Sequence, residues 1–245
     1  KIKSIDTAAA KAADGVVAVY TGADVAHING LPCGWQVNFT DGEVMREPKH
    51  PLLVTDKVRH VGDGVALVVA ETKEQARDAA DLIEVDYEEL PVVVDASKAL
   101  EAGAPMVHDE LPDNRAFDWQ LGDKAATDTG LAQAHHVTKM KIRNQRLVPN
   151  AIEPRSYIGD YSTARDQYTL YTSSQNPHVI RLLMCAFVLG VPEHKVRVVA
   201  RDVGGGFGSK IYHYAEEALV TWASRQIGRP VKWTAERSEA FVTDA

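Results

Sequence analysis

The stretch Arg201-Asp202-Val203-Gly204-Gly205-Gly206-Phe207-Gly208-Ser209-Lys210 constrains this chain more than any other. The β-branched run Val196-Arg197-Val198-Val199 before it has strand character, and Ile211 to Ile227 after it reads as a helix. Four glycines and one aromatic therefore sit where a strand hands over to a helix. Glycine adopts positive φ without penalty and lets the backbone approach a ligand closely. Helix N-termini and concave arrays of N–H groups attract anionic or electron-rich atoms. The turn is thus expected to cradle a cofactor. The alternative is a plain connection with Phe207 packed inward. Two common phosphate motifs do not fit. A Walker loop needs Gly directly before Lys, where Ser209 stands. The G-x-G-x-x-G fingerprint is met by Gly204 and Gly206 and fails at Ser209.

The 245 residues leave room for two domains, at roughly 150 residues each. With 45% hydrophobic residues a sizeable core is available. Basic residues number 27 against 34 acidic ones, a net charge of −7. That is the wrong sign for a general nucleic-acid binder. Lys139 to Arg146 is the densest basic cluster, and its alternation with apolar and amide residues is that of a solvated strand face. Cys33 and Cys185 are too far apart for zinc or iron–sulfur spacing, and Cys185 lies in an apolar helical segment. No apolar run is long enough to span a membrane. The chain opens on strand-like Lys1-Ile2-Lys3-Ser4-Ile5 with no starting Met and no signal peptide, so a piece of a longer, cytoplasmic protein is expected.

Residues 1–112 read as a compact α+β module. Strands are expected at Ile2–Ile5, Val16–Tyr20, Val58–Val61, Val65–Val69 and Ile83–Tyr87, and the stretch between Ala26 and His50 is loop-like with one hairpin at most. Asp6-Thr7 caps a short helix ending at Gly15. Thr72 with Gln75 opens another that runs to about Leu82. Residues 113–130 form a connecting segment on which Trp119 docks against something. Residues 131–245 form the second module. It has a long strand at Val137–Leu147, strands Ser156–Tyr161, Tyr168–Thr172 and Val231–Trp233, and a helix from Pro177 to Leu189 behind the N-cap Asn176. The acidic trio Asp86, Glu88 and Glu89 is a solvated strand end rather than a metal site.

Ser174-Gln175-Asn176-Pro177 is a second strand-to-helix entry. If the two strands are neighbours, Gln175 and the glycine turn share one end of a sheet. A Gln amide offers both donor and acceptor, though a loop role stays open. Glu153-Pro154-Arg155 supplies either a carboxylate and guanidinium for a site or a buried structural ion pair. Glu216 and Glu217 complement a helix dipole.

These motifs together resemble those of the xanthine oxidase family of molybdenum hydroxylases, which includes aldehyde oxidases and aerobic carbon monoxide dehydrogenases. Asp56-Lys57-Val58-Arg59-His60-Val61-Gly62, Val65-Ala66-Leu67-Val68-Val69-Ala70-Glu71-Thr72 and Val85-Asp86-Tyr87-Glu88-Glu89-Leu90-Pro91 resemble its hammerhead α/β domain. Glu153-Pro154-Arg155, Ser174-Gln175-Asn176-Pro177-His178 and Gly204 to Lys210 resemble the start of its molybdopterin-binding domain. The resemblance runs over the whole chain. It implies an α+β fold: a hammerhead-type module over 1–112, a connection over 113–130, and the truncated first part of a molybdopterin-binding domain over 131–245.

The resemblance also implies that Gln175 hydrogen-bonds a molybdenum oxo ligand. Gly205, Gly206, Phe207 and Gly208 would present backbone amides near the metal centre. The molybdenum–pterin cofactor, as such or as a dinucleotide, would be held through its dithiolene without a protein metal ligand. Iron–sulfur clusters and FAD would sit on partner subunits or domains. A dimer of heterotrimers follows, built with the remaining part of the large subunit. The reaction implied is oxidation of an aldehyde, carbon monoxide or an N-heterocycle with water as oxygen source. The family's catalytic Glu lies in a stretch beyond Ala245, so the residues here are not expected to act alone. Ile211 stands where xanthine-type members carry Glu, which argues against a purine substrate. A non-catalytic scaffold that docks partner subunits is the competing reading.

Overall fold

The computed structural model describes residues 1–111 and 113–244. Strand β1 (Ile2–Asp6) pairs antiparallel with β4 (Glu84–Tyr87), and β2 (Val16–Thr21) pairs antiparallel with β3 (Ala66–Ala70). Short helices fill the connections. Helix α1 (Ala8–Ala12) starts where Asp6 Oδ1 accepts the Ala8 N–H at 2.8 Å. Helix α2 (Gly22–Val25) opens with a reciprocal box between Thr21 and Asp24. Helix α3 (Lys73–Ala80) is capped by Thr72, whose Oγ1 accepts the Gln75 N–H at 3.2 Å. It ends before Leu82, because the Leu82 and Ile83 N–H groups turn back to Ala79 and Ala80 and steer the chain into β4.

Val58–Val61 forms no strand, contrary to its apolar pattern. Asp63 Oδ2 accepts the N–H groups of Arg59 and His60 at 2.6 and 3.2 Å, so a local side chain takes the donors a ladder would need. Between Ala26 and His50 only two isolated bridges form, Leu31 with His50 and Asn38 with Val44.

Part of the connecting segment is helical: α4 (Lys124–Gln133) follows an Asp123 cap that accepts the Ala126 N–H at 2.9 Å. Its composition gives no apolar stripe, which hid it from a periodicity reading. Trp119 meets Trp35 edge-on at 6.4 Å and stays exposed. The strand expected at Val137–Leu147 is absent; no main-chain group from His135 to Asn150 has a hydrogen-bond partner among the described residues.

The second sheet has the order β7-β6-β5-β8, from β5 (Ser156–Ser162), β6 (Gln167–Thr172), β7 (Val196–Val199) and β8 (Val231–Thr234). The β6–β7 pair is parallel and the others are antiparallel. A parallel pair needs a crossover. Here it is α5 (Pro177–Leu183), continued by a π-helical turn (Met184–Leu189) that ends at Gly190 with φ +62. Helix α6 (Ala215–Ile227) lies along β5, and α7 (Arg237–Thr243) follows β8. A Cβ on Gly159 would fall 2.3 Å from the Val220 carbonyl, so only glycine lets α6 lie this close.

Leu170, Ile180, Met184 and Val220 are fully buried in the core beneath α5 and α6, each contributing about 1.5–3 kcal/mol. The same core takes in Val25, Ile28, Leu52, Leu53 and Val69 from the first half of the chain. Tyr20 packs edge-on against Trp222 with centroids 4.7 Å apart. Both halves therefore share one continuous core.

Candidate cofactor site

Because β6 and β7 are parallel neighbours in the register Leu170↔Val198 and Tyr171↔Val199, both strands end at the same edge of the sheet. Ser174-Gln175 leaves β6 there, and Gly204 to Lys210 leaves β7. The juxtaposition expected from the sequence is thus realised by one pair of strands.

Contacts between the two exits are numerous. The Gln175 N–H donates to the Lys210 carbonyl at 2.9 Å, and Ser174 Oγ donates to the same carbonyl at 3.2 Å. Gln175 Oε1 accepts the Gly208 and Lys210 N–H groups at 3.0 and 3.2 Å. Two N–H donors converging on one atom define that atom as the amide oxygen. The Gln175 –NH2 group has no acceptor among the described residues. Gln175 is therefore presented to its surroundings as a hydrogen-bond donor.

Glu153 holds the other flank of the turn. Its Oε2 accepts the Gly204 N–H and the Lys210 ammonium, both at 2.7 Å, and its own N–H donates to the Gly204 carbonyl at 3.2 Å. The Lys210 side chain is 2% exposed, so its charge is met by Glu153 rather than by water. Ser209 closes the loop through Gly206, with N–H and Oγ bonds to its carbonyl of 3.0 and 2.9 Å.

Glycine is required at two places for different reasons. A Cβ on Gly206 would lie 2.3 Å from Gln175 Oε1, so a side chain there would displace the Gln175 amide from the turn. Gly208 has φ +99 with open space around it, so backbone conformation alone demands it. Phe207, between them, adopts φ +53 and is 76% exposed. An inward-packed Phe207 is ruled out by this exposure. The N–H groups of Gly205, Gly206 and Phe207 have no acceptor among the described residues. They form, with the Gln175 amide, a set of donors around one turn.

The helix expected from Ile211 starts only at Ala215, behind the cap Tyr214 and its reciprocal box with Glu217. The turn is therefore separated from the α6 N-terminus by four residues, and its donors are loop amides rather than helix-end amides. A buried carboxylate anchors those four residues. Glu217 accepts from Thr172 Oγ1 at 2.6 Å and from the Tyr214 N–H at 3.1 Å, and it contacts His213 Nδ1 at 2.8 Å. This ties the end of β6, just before Gln175, to the segment behind the glycine turn.

The Glu153-Pro154-Arg155 motif divides its two charges. Arg155 is completely buried beneath the sheet edge and bonds Asp244 Oδ1 at 2.6 Å, Glu216 Oε2 at 2.9 Å and Thr243 Oγ1 at 2.9 Å. The Tyr214 ring lies 3.8 Å from its guanidinium carbon. Burial works against the Arg155 charge, but Glu216 and Tyr157 together outweigh it and its pKa is raised. The sequence left open whether this motif serves a site or an ion pair. Glu153 serves the turn, and Arg155 forms the pair. The Glu153–Lys210 and Glu217–Thr172 bonds were not anticipated; they join residues 57 and 45 positions apart, and no local pattern announces them.

The aldehyde oxidase and xanthine dehydrogenase a/b hammerhead domain matches residues 1–91, and the molybdopterin cofactor-binding domain matches residues 107–245. The chain belongs to the molybdenum hydroxylase large-subunit family, the family of carbon monoxide dehydrogenase, xanthine dehydrogenase and aldehyde oxidoreductase. It is 37% identical over 257 aligned positions to the carbon monoxide dehydrogenase large chain of Afipia carboxidovorans, covering 99% of this chain and 30% of that one. Identity to the nicotine 6-hydroxylase large subunit of Paenarthrobacter nicotinovorans is 35%, covering 99% of this chain and 29% of the relative. Among solved structures, quinoline 2-oxidoreductase from Pseudomonas putida 86 superposes with a TM-score of 0.87 at 36% identity, over 100% of this chain and 30% of that one. The chain therefore spans about 30% of the length of these relatives.

Proposed function

We propose that this chain is part of the large subunit of a molybdenum-dependent hydroxylase that oxidises carbon monoxide, an aldehyde or an N-heterocycle, with water as oxygen source. The carrying observation is the Gln175 amide, whose oxygen is held by the Gly208 and Lys210 N–H groups and whose –NH2 is left to donate. The residues present fit a bound molybdenum–pterin cofactor. They offer N–H donors from Gln175 and from Gly205, Gly206 and Phe207, in a loop where three successive glycines leave the main chain uncovered. A pterin-held metal needs such donors and no thiolate or imidazole from the protein. When bound, the cofactor supplies the redox chemistry that adds oxygen from water to carbon.

The residues of this chain bind and orient. Gln175 donates toward an acceptor on the metal side of the cofactor, and Gly206, Phe207 and Gly208 hold the approach at fixed backbone geometry. Ile211, exposed just behind the turn, gives that margin an apolar side chain where, by the resemblance, xanthine-type members carry Glu, which argues against a purine substrate. The names of the relatives at 37% and 35% identity, acting on carbon monoxide and on nicotine, support substrates of those classes. In this reading the hammerhead part occupies 1–112, a connection 113–130 and the cofactor-binding part 131–245. Iron–sulfur and FAD subunits complete a cytoplasmic dimer of heterotrimers, and the general base is a Glu beyond Ala245.

The test is Gln175→Ala in the full-length, metal-loaded enzyme. Loss of one preorganised donor lowers kcat on the order of 100-fold, with little change in melting temperature. Unchanged turnover at equal metal content would remove Gln175 from the site.

A further inference from the structure

Every residue from Trp119 to Leu147 is exposed. This stretch holds α4 and the irregular run behind it, and neither contributes a buried residue; the run is tied to the rest of the chain by Arg143, which reaches Asp95 at 3.4 Å, and by Arg146, whose Nη2 donates to the Asp244 carbonyl at 2.6 Å. Helix α4 has 10 residues and none buried, below the roughly 12–15 residues at which an isolated helix becomes stable in water. The run that follows carries no helix, turn or main-chain hydrogen bond from His135 to Asn150 among the described residues, and no positive φ before Asn150. Unpaired main-chain groups that can adopt an extended conformation are a template for strand addition.

The side chains specify what that strand would be. From Lys139 to Arg143 the residues alternate strictly: Lys139, Lys141 and Arg143 on one face, Met140 and Ile142 on the other. Met140 and Ile142 are 76% and 78% exposed. Lys139 and Lys141 form no ion pair among the described residues, while Arg143 reaches Asp95 at 3.4 Å. A half-buried strand has this pattern, with the apolar face toward a core.

A second copy of the chain fits poorly. In any antiparallel self-pairing that keeps like faces together, cations oppose cations, which is destabilising. The other registers place Lys beside Met and Ile on one face. The complementary strand carries acidic residues opposite Lys139 and Lys141 and apolar residues opposite Met140 and Ile142. The relatives are more than three times as long as this chain, so about 70% of such a large subunit has no counterpart here. We propose that residues 137–147 are a strand completed by an acidic–apolar strand from that remaining part of the large subunit. This rests on the large-subunit reading given above.

The test is hydrogen exchange on the full-length large subunit, with metal and pterin content measured on the same sample. Amides 137–147 should exchange on the order of 100-fold more slowly than in the 245-residue chain alone. The double variants Met140→Lys/Ile142→Lys and Lys139→Glu/Lys141→Glu should each lose that protection while the Gly204–Lys210 amides keep theirs. Fast exchange at 137–147 in cofactor-loaded full-length protein overturns the strand and leaves the large-subunit reading standing. Protection in a metal-free, pterin-free full-length protein supports the strand and removes that reading. Concentration-dependent protection in the 245-residue chain alone would assign the segment to a second copy and overturn the proposal.

Discussion

Gly206 and Arg155 show how differently single residues hold this site. Alanine at 206 brings a methyl carbon within 2.3 Å of Gln175 Oε1, and Gln175 must leave the Gly208 and Lys210 N–H groups. Gly206→Ala is therefore expected to cost about 1–3 kcal/mol, the desolvation penalty of N–H groups left unpaired. Denaturant unfolding would measure it, and a loss below half a kcal/mol would mean that the turn accommodates the methyl. Arg155→Met leaves Glu216 and Asp244 without their cation in a buried setting, at a cost of about 3–5 kcal/mol. A variant as stable as the parent would contradict the buried pair. The cysteines offer a third check. Cys185 is 1% exposed and burial pushes its thiol pKa up, whereas Cys33 is on the surface. A thiol reagent should modify Cys33 alone in the folded chain and both after denaturation; reaction of both in native protein would contradict the buried position of Cys185. At this scale the glycines and Gln175 were legible because their motifs are local. Lys210 and Glu153 were not joined, since their contact spans 57 residues and depends on which strands are neighbours.

Among the elements, those with a capping residue and a clear period were legible: β1, β2, β5, β6, α3 and α5 fall where their patterns put them. The failures have two physical causes. At Val58–Val61 the apolar pattern was present but Asp63 takes the Arg59 and His60 N–H groups. At 137–147 the alternation reports which side chains share a face and says nothing about whether a ladder partner is present. Helix α6 began later than expected because Glu217, four residues past His213, closes a box with the Tyr214 N–H that fixes the start at Ala215. Helix α7 carries a pH prediction. Burial raises the Glu239 carboxyl above the ordinary glutamate value of 4.5, and the Glu236 N–H bond offsets only part of this. The folded state then binds the proton more tightly than the unfolded chain, so stability falls as pH rises from 4.5 through the raised value. Glu239→Gln keeps an acceptor for Glu236 and removes the titration. Its melting temperature should decline less from pH 4.5 to 7 than the parent's, and an identical pH profile would place Glu239 in water.

The strands of both halves share one core, with Tyr20 from the first half packed on Trp222 of α6. That sharing was not legible, because the connecting segment expected at 113–130 reads as a boundary while the burial ignores it. The family, by contrast, was legible from Gln175 and the glycine turn in their order along the chain. Their spatial meeting at the β6–β7 edge makes the order physically sensible. In the proposed reading, Gln175 and the glycine turn hold a molybdenum–pterin cofactor. Metal and pterin content of the full-length protein, purified gently from a molybdate-supplied host, tests it most directly. Near-stoichiometric molybdenum with pterin, lowered in Gly206→Ala, is the predicted result; repeated absence of both from well-folded protein would contradict it.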